Sequence, residues 1–192
     1  MRRLRWVASQ FGVRPSAHLP DPETVLIGLA DLPPGWKLTD RRRWRSGQRG
    51  DQEWGARARL LGSVAAWRSF TSPTRDRWLW AQATPPANIE DAQHALGQVW
   101  EHRLSNLRAR VKVAATQDGP SLAIPADRVL TRQECVSGPP GDSVTRYLAW
   151  AHRGMLSVMA GSGLDESWAW PDLAALASVQ SHRIDTIVDR VP

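Results

Sequence analysis

The chain is poor in the residues that usually announce a chemistry. One of its 192 residues is a cysteine, Cys135, so neither an internal disulfide nor a cysteine-based metal site can form. No stretch approaches the ~18 apolar residues of a membrane span. The start, Met1-Arg2-Arg3-Leu4-Arg5-Trp6, has a basic head, but Val7 to Gly12 is too short and polar for the apolar core of a signal peptide. A cytoplasmic location is the expectation. Gly47, Gly50 and Gly55 do not open a helix and no Gly-Lys-Ser/Thr occurs, so no phosphate loop is present. Gly161-Ser162-Gly163 lacks the outer glycines of a nucleophile elbow and reads as a flexible turn.

Lysine is scarce as well: Lys37 and Lys112 stand against 23 arginines. Residues 1–50 hold ten basic and four acidic side chains (10 − 4 = +6), and residues 51–192 hold fifteen of each, so the net charge of +6 belongs to the amino-terminal quarter. A composition 42% apolar and 23% charged suits a soluble globular protein, and the length suits one domain. The expected division is a basic tail over residues 1–20 and a single domain over 21–192.

Two phenylalanines and one tyrosine leave the aromatic work to eleven tryptophans, most of them in extended, arginine-flanked stretches. Indoles fit a pleated, half-buried surface, which points to antiparallel sheet. Asp21-Pro22-Glu23 reads as a short helix start, stopped by Pro33-Pro34-Gly35. Strands are expected from Trp36 to Trp44, Ala56 to Phe70 and Arg75 to Ala83. Asn88 then caps a long helix with Ile89, Ala92, Leu96, Val99, Trp100, Leu104 and Leu107 on one face. A short strand over Val111, Val113 and Ala115 follows, then another from Arg128 to Val136. The clearest hairpin joins Val144–His152 to Met155–Ala160 through Arg153-Gly154. Pro171 opens a closing helix bearing Leu173, Ala177 and Ile184. The expected fold class is α+β: an antiparallel sheet of about six or seven strands flanked by helices.

The candidate sites are few. His94 and His102 lie eight residues apart on the long helix, about 12 Å along its axis and too far to share a metal ion. His152 at the hairpin turn and His182 facing away from the last helix's apolar side need no special role. No metal or cofactor is indicated, and the balance leans away from an enzyme. Gln180 and Arg103 fall within apolar helix stripes, where a buried polar group must find a partner or line a pocket. Arg41, Arg42, Arg43 and Arg45, interleaved with Trp36 and Trp44, form the best candidate for binding nucleic acid. Consecutive residues of a strand point to opposite faces, however, so a solvated strand leading into a polar loop is the favoured reading. Trp78 and Trp80 share one face of their strand. With Trp150 they are the expected contacts for a protein partner, a second copy of the chain included.

Leu32-Pro33-Pro34-Gly35-Trp36 at the head of the first strand resembles the opening of PsbP-like proteins. The order of elements is similar too: paired strands closed by Pro85-Pro86, a helix from Asn88, the hairpin from Arg146 to Ala160, Trp168 and a terminal helix. Actinobacterial lipoproteins and certain secretion-effector chaperones belong to that group. The resemblance implies an α/β/α sandwich and a non-enzymatic binding, adaptor or chaperone-like role, and it carries over no site residue. It departs from the lipoprotein branch in lacking a signal peptide and a lipid-attachment cysteine.

Overall fold

The computed structural model describes residues 20–45, 64–85, 113–136, 142–164 and 168–190. Seven strands form one antiparallel sheet: β1 (Lys37–Arg45), β2 (Val64–Thr71), β3 (Arg77–Thr84), β4 (Val113–Asp118), β5 (Arg128–Val136), β6 (Ser143–His152) and β7 (Met155–Leu164), in the order β1-β2-β3-β7-β6-β5-β4. Two meanders, β1–β3 and β4–β7, meet where β3 pairs with β7. With α1 (Pro22–Val25) and α2 (Trp170–Val188) the architecture is α+β. The expected long helix, with His94, His102 and Arg103, lies outside the described residues. So does most of the expected tail; its last residue, Pro20, is buried.

Local chemistry accounts for the element ends. Asp21 caps α1 by accepting the Glu23 amide at 2.9 Å. The turn between β6 and β7 has positive φ at both Arg153 (49°) and Gly154 (77°), as a two-residue turn matched to the sheet's twist requires. The β2–β3 turn is held by Asp76, which accepts from Ser72 Oγ at 2.6 Å and Thr74 Oγ1 at 2.5 Å.

One expectation fails here. Gly161-Ser162-Gly163 is not a turn, because β7 runs through it to Leu164. A Cβ at Gly161 would come within 2.7 Å of Trp168 Cγ; the glycine is there to admit an indole and not to end the strand.

The core lies on the face covered by α1 and α2, where Phe70, Leu79, Ala81, Leu148, Trp150 and Met159 pack against Leu173, Ala177 and Ile184. Two arginines lock the amino-terminal segment onto it. Arg68 of β2 donates to the carbonyls of Glu23, Leu26 and Ile27. Arg183 of α2 donates to Leu26 O at 2.8 Å and pairs with Asp31 at 2.7 Å. Burial first, and then the nearby Arg41 guanidinium, lowers the Arg68 pKa from the usual arginine value.

Candidate functional site

A period of two sends alternate residues to opposite faces, and this sorts the candidate tryptophans. On β3, Leu79, Ala81 and Ala83 turn toward the helices, while Trp78 and Trp80 turn to the other face. Register carries that face across the sheet: Thr71 stands beside Trp78 on one side and Ser162 on the other, and Thr145, Glu134 and Thr116 continue the row. The next row holds Ser69, Trp80, Ala160, Tyr147, Arg132 and Asp118. Further along, Ala149, Leu156 and Val158 form a buried apolar cluster with Tyr147 and Ala160, against which Trp80 packs.

Trp78 is 45% exposed and is the open ring of the set, whereas Trp80 is half-buried. Trp78 is held from behind, since its carbonyl accepts the Trp168 indole N–H at 3.0 Å. Trp150 corrects the expectation. It has no exposed surface, sits on the helix-covered face and donates its indole N–H to Ser181 Oγ at 3.0 Å, so it is a core residue and no contact for a partner.

The arginine segment is neutralised in place. A bulge between Leu38 and Asp40 leaves Arg41 and Arg43 on the α1 side and Arg42 on the other. Arg41 pairs with Glu23, Arg43 with Asp21 at 2.7 Å, and Arg42 with Asp40 at 3.0 Å. Three cations meet three carboxylates, so Arg41 to Arg43 do not form a row of unpaired charge. The Arg45 side chain lies outside the described side chains.

Gln180 is buried and bridges α2 to the sheet, donating to Ser157 Oγ at 2.9 Å, with its Oε1 unpartnered. That is the structural alternative to a pocket-lining role. His152, expected to be unremarkable, is buried against Asp185 at 2.8 Å and ties the β6–β7 turn to α2. Sequence gave no sign of this, because the two residues are 33 positions apart. The same holds for Glu134, which has no exposed surface.

No cluster of three metal-ligating side chains occurs among the described residues, and none of their helices is long and apolar enough to cross a membrane. A shallow surface pocket of about 370 Å³ lies between the start of the β4–β5 connection and β5, lined by Asp118, Pro120, Leu130 and Thr131 among others.

The chain shares its fold with the extracellular domain of PknH from Mycobacterium tuberculosis. The match has a TM-score of 0.64 and covers 91% of this chain and 100% of that one, at 8% sequence identity. At that identity the likeness concerns the path of the backbone, not the site. No protein-family model matches the chain, and no curated protein matches it.

Proposed function

We propose that this chain is a non-catalytic binding domain that docks a protein partner around Trp78. The exposure of that one indole on a sheet face whose neighbouring rings are covered carries the reading. An aromatic anchor contributes most to an interface when it is rigid before binding. Trp78 has that property, in an inner strand paired on both sides and with its carbonyl held by Trp168. Thr71 and Ser162 flank it as a polar rim. The resemblance to PsbP-like proteins supports a binding role of this kind in an adaptor or chaperone-like setting. A cytoplasmic location remains part of the proposal.

The test compares partners captured by the protein and by its Trp78→Ala variant, with Leu29→Ala as a control at another exposed apolar residue. Proteins held by the parent and the control, and released by Trp78→Ala, support the surface. An identical captured set for all three removes it. Light scattering of the same samples shows whether the partner is a second copy of the chain.

A further inference from the structure

Glu134 is a carboxylate placed where carboxylates are costly. It has no exposed surface, and neither Oε1 nor Oε2 has a hydrogen-bond partner. Buried polar atoms are almost always hydrogen-bonded, so two orphaned oxygens on one side chain point to an absent partner. Its surroundings define the partner's chemistry. Thr145 on β6 and Thr116 on β4 stand directly beside it on the same face. Thr145 Oγ1 already donates its proton to Ser162 Oγ at 2.9 Å, so toward a ligand it can only accept. Arg132, the adjacent cation on that face, is turned to Asp118 at 3.8 Å and leaves both Glu134 oxygens unbonded. The site therefore offers two carboxylate oxygens and a hydroxyl acceptor.

We infer that Glu134, with the Thr145 and Thr116 hydroxyls, is a binding site for the primary ammonium group of a small organic amine. An ammonium has three N–H donors and no acceptor, which matches oxygen acceptors gathered around one carboxylate. A hard metal ion fits less well, because it takes six or more oxygens, several of them carboxylate, and among the described residues no second carboxylate stands in this row. Glu134 lies three strands from Trp78, about 14 Å at the usual strand spacing, and the two sites meet only where Thr145 bonds Ser162 of the rim.

The test is thermal unfolding and calorimetric titration of the whole chain with ethanolamine, putrescine and spermidine. Tetramethylammonium, which has no N–H, serves as control at matched ionic strength. A saturable rise in Tm with at least one primary amine and none with tetramethylammonium is expected. Glu134→Gln should weaken that binding about a hundredfold and Thr145→Val about tenfold, as lost charged and neutral hydrogen bonds do. Glu134→Gln should also raise the Tm of the free protein, whereas a purely structural glutamate would lower it. Trp78→Ala should leave amine binding unchanged, so failure of the docking reading and failure of this one are distinguishable. The site is overturned if no amine shifts the Tm, if tetramethylammonium acts equally, or if Glu134→Gln binds amines as the parent does. Should Glu134→Gln not fold, Thr145→Val decides by the same titration.

Discussion

Trp150 and Trp78 lie two strands apart in the same sheet and meet opposite fates. Trp150 is sealed beneath α2 with its N–H satisfied, and Trp78 leaves 45% of its surface open on the other face. The helix-covered face uses its other indoles as structure too. Trp36 and Trp168 rings meet at 5.5 Å, the Arg77 guanidinium lies 5.6 Å from one and 6.0 Å from the other, and Arg146 lies 5.8 Å over Trp170. Cation–π contacts of this kind let arginines stay near a core that could not otherwise take them. Among the described residues the tryptophans are therefore of two kinds, those whose rings are packed into the fold and Trp78, which stays largely exposed.

The largest test of this division is Trp150→Ala. Losing the indole and its bond to Ser181 should cost about 3–5 kcal/mol, read as a large fall in the urea midpoint, while Trp78→Ala should stay within about 0.5 kcal/mol of the parent. Equal losses would erase the distinction between the faces. Next comes Arg68→Met, which strips donors from three carbonyls of the α1 segment and should cost about 2–3 kcal/mol by the same measurement. Arg42→Ala, an exposed pair on the opposite face, should cost under about 0.5 kcal/mol. Gly161→Ala drives a methyl into Trp168 and should cost about 1–3 kcal/mol, with a shift in tryptophan emission as that ring is displaced.

The smallest effect concerns the β2–β3 turn. The Ser72 hydroxyl, and then that of Thr74, hold the Asp76 carboxyl below its ordinary value of 3.8. Because the folded value is the lower one, the stabilisation is complete above the ordinary aspartate range and fades as pH falls through the folded value. Asp76→Asn should therefore be slightly less stable than the parent at pH 7, with the gap closing as the solution is acidified below the ordinary aspartate value of 3.8. A gap that is constant with pH would show that the hydrogen bonds matter and the charge does not.

Much of the fold was legible because it is written locally. The strand from Arg128 to Val136, the Arg153-Gly154 turn, the Asp21 cap and the Pro171 helix start follow from side-chain alternation, backbone freedom or capping, each within a few residues. The misreadings share a cause. Gly161 looks like a strand end until Trp168 is laid on it, and Trp150 looks like Trp78 until α2 covers one face. Glu134 looks like any polar residue of an alternating strand until its oxygens are found sealed and unbonded.

Sequence alone decided that this chain makes an antiparallel sheet rich in indoles with its net charge at the amino end, since alternation, turn residues and charge are properties of neighbours along the chain. Which indole faces out, which arginines are spent on carbonyls and carboxylates, and which carboxylate is buried without a partner were decided only by tertiary structure. Those outcomes depend on which face a helix covers, and that joins residues such as Trp150 and Ser181, 31 positions apart, that no local pattern connects.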